Sequence, residues 1–163
     1  MRLSIILIVA MLGNSLIFSQ IDSIKKSEPD NPTIITKFEP TRNPFTDLDS
    51  AIALTQKTNK KILLDVGGEW CIWCHKLDDF FEANKDITEF MNTHFVVLKV
   101  NYSKENKNEK FLSKYPKIPG YPHFFILDSK GKFLHSQDTG ALEKDGGHDR
   151  DKLLSFLKEW ASK

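Results

Sequence analysis

The chain has 163 residues, with 23 Lys and Arg against 22 Asp and Glu, and only two cysteines. A net charge of +1, which falls to neutral without Arg2, gives no attraction for a phosphate backbone and argues against nucleic acid as a partner. Two cysteines cannot build a disulfide framework or a four-sulfur zinc site, so the fold must rest on the hydrophobic core of one domain.

Residues 1–20 read as a secretory signal peptide: Arg2 supplies the positive start, 5–12 is an unbroken apolar run, and Ser19 and Gln20 mark the cleavage region. The apolar stretch is broken by Gly13, Asn14 and Ser15 and falls short of the roughly 20 residues that cross a bilayer; an uncleaved anchor is the alternative. The expectation is an exported, periplasmic chain with no stable membrane insertion after cleavage. Residues 21–44 carry Pro29, Pro32, Pro40 and Pro44 among polar residues and read as a linker or amino-terminal arm, with an edge strand over 33–38. The folded domain is expected over 45–163.

Thr46 and Asp49, at capping-box spacing, predict a helix over 46–57 with Leu48, Ala51, Ile52 and Thr55 on its inner face. The apolar run 61–66 has the length and composition of a parallel strand buried on both faces. Trp73, Leu77, Phe80 and Phe81 recur at helical spacing, a second helical pattern starts at Asp86, and 95–100 is another buried strand. Together 61–100 predict a right-handed βαβ unit. A short polar helix is expected over 107–115. The runs 123–127 and 132–137 flank turn residues and predict an antiparallel hairpin. Residues 145–149 read as a solvated turn in preference to a metal loop, with Asp149 capping a last helix over 150–161. This order predicts an α/β fold, a mixed central sheet flanked by helices.

Cys71 and Cys74 fall just beyond a buried strand and open a helix. Two intervening residues on a first helical turn bring the sulfurs within bonding distance, and the helix N-terminus stabilises a thiolate on the outer one. Such a pair can attack a disulfide and then resolve the mixed disulfide internally. An inert bridge is the bland reading, but so short a loop restrains little chain entropy. Asp65 is charged within an apolar strand, which costs several kcal/mol unless it is paired or protonated. With a raised pKa it is a candidate general base for the Cys74 thiol; on the solvent side of an edge strand it would have no such role.

Four separated features carry a resemblance: Asp65 six residues before Cys71, Trp70 directly before it, Gly120-Tyr121-Pro122 ahead of a strand, and Thr139-Gly140-Ala141-Leu142 ahead of the last helix. With the segment 62–76 they resemble the thioredoxin superfamily, and within it the exported thioredoxin-like proteins, including the soluble thiol-carrying domain of the DsbD type. The resemblance runs from about Phe45 to Trp160. It implies a thioredoxin-like, three-layer α/β/α fold and a protein-disulfide oxidoreductase with no cofactor beyond its own sulfurs. Cys71 is then the nucleophile, Cys74 the resolving thiol, and Pro122 a cis proline beside which Tyr121 offers its backbone to an extended substrate. Trp70 and Trp73 are expected on the substrate-facing rim.

The sequence departs from ordinary thioredoxin in Ile72-Trp73 between the cysteines, in His123 after the proline, and in the insertion 143–149. Disulfide-bonded or thiol-containing protein substrates are the implied partners, together with a transmembrane thiol electron donor for a monomer working as a reductase. Two rival readings stay open. One is a non-catalytic binding module on the same fold, and the other is c-type haem attachment through Cys71-Ile72-Trp73-Cys74-His75.

Overall fold

Strand β1 (Lys61–Gly67) lies at the centre of the molecule, and every residue from Ile62 to Gly67 is buried. It pairs parallel with β2 (Phe95–Asn101) on one side and antiparallel with β3 (His123–Leu127) on the other. β4 (Phe133–Asp138) completes a mixed sheet in the order β2-β1-β3-β4. The computed structural model describes residues 37–163; the expected signal peptide and most of the expected arm, including 33–36 of its strand, lie outside the described residues.

Alternation along the strands sorts the core into two layers. Leu63, Val97, Phe124 and Ile126 point toward α2 (Ile72–Ala83), α3 (Lys85–His94) and α5 (Arg150–Ser162). Ile62, Leu64, Val66, Phe125 and Leu127 point toward α1 (Pro44–Thr58) and the single turn α4 (Glu109–Leu112). Helices on both faces of the sheet give the expected three layers. The restart expected at Asp86 is also present, because α2 stops at Asn84, whose side-chain amide donates to the Phe80 carbonyl at 2.8 Å.

Three local expectations are corrected. Helix α1 does not open on a Thr46 capping box: Asn43 is the cap, its side-chain oxygen accepts from the Phe45 N–H at 3.0 Å, and Pro44 supplies a helical φ at the first position. The helix expected over 107–115 shrinks to one turn, because Asn108 takes a left-handed φ of 49° and donates its side-chain amide to the Asn101 carbonyl. The solvated turn expected over 145–149 is part of a larger feature, because the insertion 143–149 folds back on itself. It forms a small hairpin, β5 (Glu143–Lys144) and β6 (Gly147–His148), and His148 packs its ring 5.9 Å from Trp73 and 6.1 Å from Phe80 on α2. Asp149 caps α5 as expected, accepting from Asp151 and Lys152 N–H.

Candidate functional site

Cys71 and Cys74 are joined in a disulfide at the N-terminus of α2, with Cα atoms 5.2 Å apart. Cys71 is the helix cap, and its Sγ accepts from the Cys74 N–H at 3.1 Å. The Cys74 N–H and the positive end of the helix dipole therefore point at the sulfur that would carry negative charge after reduction. Both sulfurs are held tightly from inside. A Cβ on Gly67 would lie 2.5 Å from Cys74 Sγ and 3.0 Å from the Phe38 ring, so only glycine lets β1 approach the resolving cysteine this closely.

Phe38 closes the inner side of the pair. It is 2% exposed, packs with Cys71 and Cys74, and donates its N–H to Glu69 Oε1 at 3.0 Å. The sequence placed this residue in the arm, where nothing in the local pattern signals a contact 33 or 36 positions away.

The outer side is an open rim. Trp70 is 59% exposed and Ile72 69% exposed, both unusual for large apolar residues. Trp70 is not loose: its Nε1 donates to the Tyr102 carbonyl at 2.6 Å, and its ring meets Tyr121 edge-on at 5.8 Å. Tyr102 in turn stacks on Tyr121 at 4.8 Å. The Tyr121–Pro122 peptide bond is cis, and the Pro122 carbonyl accepts from Thr139 Oγ1, which ties the proline to the 3-10 turn Thr139–Leu142. Trp73 lies apart from this rim. It is half-buried between the cysteines and the β5–β6 hairpin, with the Lys76 ammonium 4.1 Å over its ring. His75 sits on the helix surface and its Nε2 is 2.8 Å from the Glu69 carbonyl oxygen.

Asp65 points into the same layer as α2 and is buried. Desolvation pushes its carboxyl up to about 6, against the pull of Lys99. Lys99 is its partner in the β1–β2 register, with Nζ 3.6 Å from Asp65 Oδ2. The same ammonium is held by Asp78 on α2, at 2.5 and 2.7 Å from its two oxygens. Asp65 Oδ1 has no hydrogen-bond partner among the described residues. Sequence reasoning found the carboxylate but missed its companions. A signal for one of them was present, since Lys99 is the lone charge within the apolar run 95–100.

Comparison with known proteins places the chain among thioredoxin-like sequences. The thioredoxin-like family matches residues 43–129. The disulfide bond reductase DsbH of Chlamydia pneumoniae is 27% identical over 93 residues, which are 52% of this chain and 55% of that protein. The thiol:disulfide interchange protein DsbD of Actinobacillus pleuropneumoniae is 29% identical over 91 residues, 55% of this chain and 15% of DsbD. The chain therefore spans about half of one of these relatives and a small part of the other. Among solved structures, a disulphide isomerase from Xylella fastidiosa aligns over 75% of this chain and 94% of its own, with a TM-score of 0.61 at 24% identity. The oxidised DsbD C-terminal domain of Neisseria meningitidis aligns over 76% of this chain and 98% of its own, with a TM-score of 0.56 at 18% identity. At these identities the structural likeness speaks for the fold alone. Because the family match runs unbroken through the central strand pair, both cysteines and the cis-proline strand, this chain belongs to the thioredoxin-like family.

Proposed function

We propose that the chain is an exported, periplasmic thiol:disulfide oxidoreductase that reduces disulfides in partner proteins. The observation that carries this reading is the Cys71–Cys74 disulfide capping α2, buried toward Phe38 and rimmed outward by exposed Trp70 and Ile72. In the reduced protein the Cys71 thiolate attacks one sulfur of a partner disulfide. A mixed disulfide forms, the partner S–S bond breaks, and the departing sulfur takes a proton. The Cys74 thiol then gives its proton to Asp65 and attacks Cys71 Sγ. The internal disulfide closes and the partner leaves with its second thiol, so two electrons pass from the dithiol to the partner. Tyr121, preceding the cis Pro122, offers backbone to an extended segment, and Trp70 supplies an aromatic wall.

A thiol electron donor, in this reading a transmembrane one, must return the two electrons before the next cycle. The reductase direction is supported by the likeness to a protein named as a disulfide bond reductase and by the Asp65–Trp70 framework. Titration of the Cys71/Cys74 couple against glutathione tests it. A potential near about −270 mV fits a reductase, and one near about −120 mV would reverse the direction. Cys71→Ser should abolish turnover, whereas Cys74→Ser should trap partners as mixed disulfides on Cys71. The reverse pattern would exchange the two roles, absence of turnover in the native protein would favour a binding module, and a covalently attached chromophore with a Soret band would favour haem attachment.

A further inference from the structure

Between α2, α3 and the β1–β2 face lies a cavity of about 330 Å³, walled by Phe81, Met91 and Phe124 and lined on its polar side by Asp65, Asp78, Glu82 and Lys99. Its charges are unevenly shared. Lys99 Nζ makes two hydrogen bonds to Asp78, at 2.5 and 2.7 Å, but stands 3.6 Å from Asp65, beyond hydrogen-bond range. The Phe38 ring, 4.2 Å from the same ammonium, fixes it from a third side. Lys99 is therefore drawn toward the helix, while the strand carboxyl keeps a buried oxygen without a partner among the described residues. Asp78 is one helical turn beyond Cys74, so the residue that draws the ammonium away rides on the element that carries the resolving sulfur.

We propose that Asp78 is a positioning residue for Asp65: it holds the Lys99 ammonium on the α2 side of the cavity and so denies the inner carboxyl a full counter-ion. The proposal rests on the reading of Asp65 as the proton acceptor of Cys74. A carboxyl that serves a thiol must hold its proton weakly enough to lose it to solvent and firmly enough to take it from sulfur. A fully paired Asp65 would be too acidic for the second task, and one with no cation nearby would keep its proton near neutral pH. Asp78 sets the intermediate condition by diverting Lys99 instead of removing it. The charged groups facing Asp65 are Lys99 from β2 and Asp78 and Glu82 from α2; α3 contributes Thr88, Met91 and Asn92 to the cavity, and β3 contributes Phe124. Lys99 lowers the carboxyl from its desolvated value and Asp78 raises it, in the sense this arrangement requires.

The test is a carbon-13 NMR titration of the Asp65 carboxyl in the disulfide form, where neither cysteine ionises, for the native protein, Asp78→Asn, Lys99→Met and the double variant. The Asp78 side chain is 42% exposed on a helix surface, so its replacement leaves the core intact, and Asp78→Ser repeats the measurement with a second side chain. Asp78→Asn should let Lys99 turn to Asp65 and lower the midpoint by roughly one pH unit, and most of that shift should vanish when Lys99 is already Met. An unmoved midpoint in Asp78→Asn would overturn the proposal, as would a shift that persists undiminished in the Lys99→Met background. The pH profile of mixed-disulfide resolution, measured in parallel, should move down with the carboxyl. If the carboxyl moves and the rate profile does not, Asp78 positions Asp65 as proposed and the reading of Asp65 as proton acceptor fails instead.

Discussion

Asp65 combines two properties that pull against each other, a buried carboxyl with a raised pKa and a cation within 3.6 Å that belongs more to Asp78. Its protonation is therefore a stability statement as well as a chemical one. A folded pKa of about 6 above an unfolded value of about 3.9 means that stability is full below pH 4 and is lost as pH climbs to 6, by on the order of 3 kcal/mol. Asp65→Asn removes that loss, and Lys99 keeps its Asp78 partner, so the substitution orphans no buried charge. We expect the variant to unfold at higher urea than the native protein at pH 7.5 and at nearly the same urea at pH 4. Stopped-flow exchange should show slower resolution of mixed disulfides at pH 7.5 and a nearly native rate at pH 4, where the native carboxyl already holds its proton. Lower stability at pH 7.5 would identify Asp65 as a structural partner of Lys99 instead.

At the scale of elements, the site is the place where β1 runs under the first turn of α2 with no side chain between them. Gly67→Ala should cost about 1–3 kcal/mol, because the added methyl meets Cys74 Sγ and the Phe38 ring and something must shift. The same change should slow reoxidation of the dithiol, since displacement falls on the resolving sulfur; unfolding curves and dithiol oxidation rates read the two effects. Much of this was legible in the chain. The apolar runs around Asp65 and Lys99 and the period through Trp73 and Leu77 located the sheet and α2, while the cis Pro122 followed from the family resemblance alone. Other parts had no local signal. Asn43 displaced Thr46 as cap because Pro44 can begin a helix two positions earlier than the capping box suggested. Phe38 reaches Cys71 across 33 positions and His148 reaches Trp73 across 75, and periodicity carries no record of such contacts.

For the whole molecule, buried Asp65 and His123 and half-buried His148 give opposing pH dependences. His123 is buried with Nε2 2.8 Å from Ser136 Oγ and Nδ1 unpartnered among the described residues, and His148 is wedged against Trp73 and Phe80. Desolvation lowers both below the usual imidazole value. A lowered folded pKa means stability is full above about 6.5 and is lost as pH falls through it, the reverse of Asp65. Between pH 4 and 6.5 the two histidines and the carboxyl partly cancel, and the native protein should show a shallow stability profile. Asp65→Asn should unmask the histidines, so that stability rises more steeply with pH across that window; urea midpoints at four or five pH values decide it, and parallel profiles would show that Asp65 does not titrate there.

Two of the three tryptophans flank the disulfide, Trp70 immediately before Cys71 and Trp73 between the cysteines, while Trp160 stacks on His135 at 4.4 Å in the carboxy-terminal helix. A disulfide in contact with an indole drains its excited state by accepting an electron, and a dithiol does so far less. The molecule thus carries a built-in optical gauge of its own oxidation state: emission should brighten on reduction, lose most of that response in Trp70→Phe/Trp73→Phe, and keep it in Trp160→Phe. Each half-reaction becomes visible in an unlabelled protein, with the light coming from the side chains that border the sulfur chemistry.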